Sequence, residues 1–232
     1  MLDLNKITIL GGTGFIGSNL VSELAKYTKE IVILSRDREK NKKLLVLPNI
    51  EIVQTDINDE LALREQIKDT DLLINTVGIL NELDSDNNFN TLHVNLVKKI
   101  SNVIQHHKIK RMLHISSLNS TNSNASNYLK SKGEAEQYLL QNTAKFCNVT
   151  VFKPSVVFGE NDTFFNRFAK ILRYSPIFPL ACPYSKFAPV YVNDLTKFMV
   201  ESINDRASYN SAIDVTGPEI YTFYSLIKLT LE

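Results

Sequence analysis

The sequence predicts an α/β fold built on a doubly wound parallel sheet, and three observations carry that prediction. Short apolar runs recur along the first two thirds of the chain, each the length of a buried strand. Between them lie segments whose apolar residues repeat at helical spacing. The first run ends abruptly in glycines and is followed at once by such a helical segment. Strands that alternate with helices imply parallel βαβ units with right-handed crossovers.

The elements follow in order. Ile7, Ile9 and Leu10 form the first strand, and Gly11-Gly12-Thr13-Gly14-Phe15-Ile16-Gly17 turns into a helix carrying Leu20, Val21 and Leu24. Residues 30–36 read as a second strand and 50–56 as a third, led in by Pro48-Asn49. Residues 61–67 form a short helix and 71–78 a fourth strand. A long helix over 89–106 presents a broad apolar face of Leu92, Val94, Leu96, Val97, Ile100, Val103 and Ile104. Residues 111–117 are the fifth strand, and the Asn- and Ser-rich stretch 118–127 is a loop. Residues 128–141 read as a helix and 149–153 as a sixth strand stopped by Pro154. Pro176, Pro179, Pro183 and Pro189 then punctuate shorter segments. This divides the chain into a nucleotide-binding domain over 1–153 and a small substrate lobe over 154–232, resting on the sheet. The chain stops inside an apolar-rich helix over 222–232 without a cap signal, so the lobe is expected to lack its last elements.

Composition narrows the function. A chain of 232 residues that is 44% hydrophobic can bury a full core. A formal net charge of +1, with the signs interspersed, gives no footing for nucleic acid, and Arg36 to Lys40 and Lys42-Lys43 read as solvated faces. Cys147 and Cys182 have neither metal nor redox spacing, which suits free thiols in a reducing cytosol. The first strand begins too close to Met1 for a signal peptide, and no apolar run spans a bilayer, so a cytoplasmic protein is expected. His93, His106, His107 and His114 show no ligand spacing, so no metal is expected. His106-His107 reads as a helix end, where a cation suits the dipole.

The glycine turn carries the first chemistry. Gly11 takes the tight turn off the strand, Gly14 has no side chain to hold the backbone from a diphosphate, and Gly17 lets the helix lie close to the sheet. Thr13, Phe15 and Ile16 complete the turn, whose helix end aims free N–H groups and a positive dipole at the phosphates. Strand, glycine turn and helix together form a nicotinamide-dinucleotide fingerprint. At the tip of the second strand Arg36 favours NADP(H) over NAD(H), because guanidinium grips a 2′-phosphate. The plainer alternative, a surface charge, stays open beside Asp37. Asp56, followed by Ile57, either accepts from the adenine amino group or caps the next helix. Thr76-Val77-Gly78 runs its backbone beneath the cofactor.

A second constellation lies further on. Tyr128 and Lys132 are four apart at the start of a helix and project the same way. A neighbouring ammonium lowers a phenol's pKa, which suits Tyr128 to general acid/base work at a carbonyl. Ser116 or Ser117, at the fifth strand's tip, would orient the substrate oxygen. Asn193-Asp194 reads as a helix cap. Phe164, Phe165 and Phe168 are spaced as a helix face that packs on the sheet; docking to a partner protein or a membrane surface is the alternative.

With these residues in place, the chain resembles an atypical or extended short-chain dehydrogenase/reductase, a Rossmann fold, over essentially its whole length. The family's three glycines fall on Gly11, Gly14 and Gly17, its serine on Ser117, and its Tyr/Lys pair on Tyr128 and Lys132. Asn95 falls where extended members carry a helix asparagine. Lys153-Pro154-Ser155-Val156-Val157-Phe158-Gly159 resembles the segment passing the nicotinamide, and 190–194 the start of the substrate lobe. The resemblance implies that Tyr128 exchanges a proton, Lys132 holds the ribose hydroxyls and Ser117 orients a carbonyl. Within the family, residues 114–119, 158–162, Phe164, Asn166, Arg167 and Phe168 are most similar to the NAD(P)H-binding accessory subunits of respiratory complex I and their bacterial relatives. That likeness implies a structural nucleotide. The loop from Ser117 to Tyr128 is short for a sugar-nucleotide epimerase. Two functions are therefore expected: an oxidoreductase or epimerase-like enzyme acting on an unidentified small molecule, or a nucleotide-binding module without turnover in a respiratory or quinone-linked complex.

Overall fold

The computed structural model describes residues 4–122, 125–162, 164–174 and 180–229. Seven strands form one sheet in which every neighbouring pair is parallel. The chain runs β1 (Lys6–Leu10), α1 (Phe15–Leu24), β2 (Glu30–Ser35), a 3-10 segment (Glu39–Val46), β3 (Ile50–Gln54), α2 (Glu60–Gln66) and β4 (Leu72–Asn75). A π-helical turn (Asn90–Asn95) then opens into α3 (Leu96–His107), β5 (Arg111–Ile115), α4 (Asn127–Gln141) and β6 (Asn148–Pro154). The remainder is β7 (Val157–Phe158), α5 (Phe165–Tyr174), β8 (Lys186–Phe187), β9 (Val190–Tyr191), α6 (Val192–Glu201), β10 (Ser211–Val215), β11 (Tyr221–Thr222) and α7 (Phe223–Leu229).

The spatial order is β10-β6-β5-β4-β1-β2-β3, so the winding reverses between β1 and β4. Both faces are covered, as a parallel sheet requires. Leu63 of α2, Ile100 and Ile104 of α3 and Leu139 of α4 close one core. Leu20 and Leu24 of α1 pack with Leu195 and Met199 of α6 in the other. The interiors of β1, β2, β4, β5 and β6 are buried on both sides, which explains their apolar runs, while the edge strands β3 and β10 stay partly exposed.

Several predicted boundaries move. The second, third, fourth and fifth strands end one to three residues early, at Ser35, Gln54, Asn75 and Ile115. Beyond those points the backbone turns to other partners; Val77 N, for example, donates to Asn75 Oδ1 at 3.0 Å. The helix predicted over 89–106 begins instead as the π-helical turn, whose wider winding buries Leu92, His93 and Val94 in succession. Pro154 does not stop β6 but is its last residue, opposite Val215. β10, missed in the sequence, lies within the stretch assigned to the substrate lobe yet is the seventh strand of the main sheet. Phe164, Phe165 and Phe168, expected to pack on the sheet, meet other rings of the lobe instead: Phe164 meets Phe168, Phe187 and Phe223, and Phe165 meets Phe158. Pro176, Pro179 and the last three residues of the predicted C-terminal helix lie outside the described residues.

One buried arginine ties the lobe's helix to the sheet. Arg111 on β5 donates from Nε to Ile203 O at 2.9 Å and from Nη2 to Ser202 O at 2.8 Å, at the C-terminal end of α6. It also donates to Asn148 O and Thr150 Oγ1 and lies over the Tyr209 ring. Burial pushes the guanidinium down to about 10, still charged at neutral pH, and the negative end of the helix dipole faces it. Arg111→Met is expected to lower the free energy of unfolding by about 2 to 3 kcal/mol, because buried carbonyls lose charged donors. Urea denaturation checks this; a loss below about 0.5 kcal/mol, the usual scale for a neutral surface change, contradicts it.

Candidate functional site

The reversal between β1 and β4 opens a crevice at the carboxyl ends of the strands, where ligands bind in such sheets. Gly11 leaves β1 with φ +76°, and a Cβ there would lie 2.8 Å from Thr76 Oγ1 and 2.9 Å from Val77 N. The turn closes as Gly14 N donates to Gly11 O at 2.9 Å. A Cβ on Gly17 would sit 2.2 Å from that same oxygen, so only glycine lets α1 start this close to β1. Gly14 is the exposed N-cap; no side chain caps the helix and its first turn carries no acid. A bare backbone at a positive helix end fits a dinucleotide's diphosphate.

One cleft of about 620 Å³ connects this helix end to the second constellation. Gly14, Phe15, Ile16 and Gly17 form one wall, Thr76 and Gly78 lie at its base, and Ser117, Tyr128, Lys132 and Pro154 stand opposite. Thr76 is fixed to β1 through Oγ1 and N, which both donate to Leu10 O. The strand tips and two helix starts thus converge on a single space.

Ser126 caps α4, accepting from Leu129 N at 3.3 Å, and so sets the first turn that carries Tyr128. The Ser117 hydroxyl donates to Leu118 O at 3.4 Å and lies close enough to the Tyr128 phenol to favour its ionised form. Lys132, one turn further in, is buried and donates from Nζ to Ile115 O at 3.1 Å and Val77 O at 3.3 Å. Burial pushes this ammonium down to about 8. The expectation that Lys132 lowers the phenol's pKa needs correction here: burial raises the Tyr128 phenol, and Ser117 only partly opposes it. The ammonium is turned to carbonyl oxygens, while the half-buried phenol is partly withdrawn from water.

Two histidines back this group, and sequence reasoning missed them. Ile79 N donates to His93 Nε2 at 3.1 Å, so the ring proton sits on Nδ1 and goes to Ser131 Oγ at 2.8 Å; Ser131 Oγ in turn donates to Tyr128 O. The His93 ring meets Tyr128 edge-on with centroids 5.7 Å apart. Burial, aided by the Lys132 charge, pushes His93 down to about 3. His114, opposite Asn75 in the sheet, accepts at Nδ1 from the Asn75 amide at 3.2 Å and is likewise held neutral by burial. Only the register of β4 and β5 reveals this placement; no spacing along the chain signals it.

The other predicted residues lie outside the cleft. Arg36 is exposed and donates to Asn87 Oδ1. Asp56 does not cap α2: it accepts from Asn58 N at 2.9 Å in a turn, and Asp59 is the cap. Ile57 belongs to the core, and the Val77 side chain packs against it. Thr13 sits on the glycine turn, half-buried. Asn193 and Asp194 lie in the first turn of α6, whose N-cap is Tyr191, so they do not cap it as expected. Asn95 ends the π-helical turn. Cys147 is buried and its thiol pushed up to about 12, while Cys182 is exposed; both are free. Among the described residues no helix is long and apolar enough to cross a membrane, and no cluster of three His, Cys, Asp or Glu is placed to hold a metal.

Comparison with known proteins gives a consistent result. The chain is 27% identical over 228 residues to NADH dehydrogenase (ubiquinone) 1 alpha subcomplex subunit 9, mitochondrial, of Mus musculus, covering 95% of this chain and 59% of that protein. The counterpart of Dictyostelium discoideum is 24% identical over 230 residues, covering 97% and 63%. The chain thus spans about three fifths of the length of these relatives. A dTDP-glucose 4,6-dehydratase from Bacillus anthracis, solved in complex with NAD, superposes with a TM-score of 0.82 at 17% identity, over 98% of this chain and 80% of that one. That likeness shows the Rossmann-like α/β fold. The model of the NAD dependent epimerase/dehydratase family matches residues 7–216, and to that family the chain belongs.

Proposed function

We propose that this chain binds a nicotinamide dinucleotide in the cleft and exchanges a proton with a substrate carbonyl through Tyr128. The observation that carries this reading is the meeting of a bare helix end with the Ser117–Tyr128 pair above Lys132 in one cavity. The backbone at Gly14, Phe15, Ile16 and Gly17 would hold the diphosphate, while Thr76, Gly78 and Pro154 line the path of the nicotinamide end. When bound, the cofactor supplies hydride chemistry. Ser117 Oγ orients the carbonyl oxygen, and Tyr128 Oη is the proton source. A phenol raised by burial stays protonated at neutral pH, which favours donation to a carbonyl over abstraction from an alcohol. Lys132 supplies a positive charge near the oxygen as negative charge develops.

NADP(H) is the preferred cofactor in this reading. Arg36 follows β2 and donates to Asn87 with the Asp84 carboxylate nearby, and a 2′-phosphate would offer its guanidinium two charge-assisted hydrogen bonds. A second reading, an accessory subunit that binds the nucleotide without turnover, is favoured by the relatives' identity as NADH dehydrogenase (ubiquinone) subunits. Protein partners of that kind follow from it.

Tyr128→Phe separates the two readings. With wild type, NADPH is expected to raise the melting temperature more than NADH does, by mass action on the folded form, and to be consumed with members of a panel of aldehydes and ketones. The variant should keep the thermal shift and lose at least a hundredfold in consumption. No consumption by wild type with any carbonyl overturns the first reading in favour of the second. A larger shift with NADH overturns the role of Arg36.

The buried Lys132 also makes stability depend on pH. Below about pH 8 the ammonium is charged in both the folded and the unfolded chain, and its burial is unfavourable. Between that value and its ordinary 10.5, the unfolded chain binds a proton that the folded chain has released, so stability rises with pH. The unfolding free energy of wild type minus that of Lys132→Met is therefore expected to increase from pH 7 to pH 10. A flat or falling difference in denaturation experiments contradicts the assignment.

A further inference from the structure

The substrate portion of the cleft has a character of its own. Beyond the glycine turn it is walled by Leu80, Leu118, Leu129, Phe164, Phe187 and Ala188. These come from the loop after β4, the loop after β5, the first turn of α4 and the segments before α5 and around β8. Among the described residues lining the whole cleft, only Lys132 and Lys186 carry a charge. Lys132 is already committed: it is buried, and its ammonium points at two backbone carbonyls. Lys186 is exposed at the rim. Two helix N-termini open on the cleft: that of α1, which serves the dinucleotide in the reading above, and that of α4, already capped by the Ser126 side chain.

We infer that the substrate is an uncharged, predominantly apolar ketone or aldehyde, and that a nucleoside-diphosphate sugar is not accepted. The inference rests on the proposed carbonyl chemistry. A second diphosphate brings about two negative charges and at least four acceptor oxygens, and such groups are held by bidentate arginines or free helix ends. The described walls offer one mobile lysine. Seating those charges against leucine and phenylalanine would leave them desolvated without partners, which is strongly unfavourable. An apolar body gains from the same walls by leaving water. Its single oxygen finds Ser117 and Tyr128, beside the uncharged Asn119, Ser126 and Ser155 of the same described lining. This is the usual design of a small-molecule site, apolar with a few placed polar groups.

Isothermal titration of the wild-type chain, with and without saturating NADP+, tests this with 2-decanone and UDP-glucose as probes. Binding of 2-decanone without binding of UDP-glucose is expected, and Leu118→Glu should weaken the 2-decanone affinity at least tenfold. Binding of UDP-glucose, alone or alongside the ketone, overturns the inference, as does binding of neither probe. Should the variant fail to fold, the wild-type comparison decides. The titration of NADP+ itself reads the cofactor proposal separately, so loss of the ketone arm with NADP+ binding intact condemns only the substrate class.

Discussion

The carbonyl oxygen of Gly11 fixes the geometry on which the site depends. It accepts from Gly14 N, and it lies where any side chain on Gly17 would collide. The same turn brings Gly11 against Thr76 Oγ1 and Val77 N, so β1, α1 and the end of β4 meet closely at the glycines. Because β1 and β4 are neighbours from which the chain winds away in opposite directions, a crevice opens at this junction. An uncapped helix end and an open crevice are therefore two results of one packing constraint. Substituting these glycines would not merely trim a ligand contact; it would move the helix.

From that junction the rest of the cleft takes its polarity. The crossover through α3 and β5 returns the chain beside β4 and sets Ser117 near the crevice, and α4 carries Tyr128 and Lys132 across it. Placing a lysine there requires a polar pocket inside an apolar core. The structure builds it from the Val77 and Ile115 carbonyls and from two imidazoles kept neutral. A protonated histidine beside that ammonium would add like-charge repulsion to desolvation, and both effects push the imidazole pKa down. One turn further along α4, on the same face, Glu136 is buried and accepts from Ser116 and Ser120, with Lys153 near its other oxygen. The strand end that presents Ser117 is thus braced from behind.

The sequence shows much of this directly. Buried parallel strands demand unbroken apolar runs, and Ile7 to Leu10, Ile31 to Leu34 and Leu72 to Ile74 supply them, so the sheet and its order of elements are legible. The glycine turn is legible because its residues are adjacent in the chain, and Tyr128 with Lys132 because helical spacing is local. What depends on register or on competing burial is not legible. The pairing of Asn75 with His114 needs the β4–β5 alignment, and the sign of the Tyr128 shift needs the depth of its burial. β10 escaped notice because Ser211 and Asp214 make a half-exposed edge strand with no apolar run. Arg36 and Asp56 sit at strand tips, where sequence position alone does not say which way a side chain turns.

The account stands on the helix end at Gly14 receiving a diphosphate. A crystal structure of this chain grown with excess NADPH tests it most directly. The account predicts diphosphate density against the first turn of α1, over Gly14, with the nicotinamide end directed toward Tyr128. A nucleotide bound elsewhere, or a helix end covered by protein side chains, would contradict it.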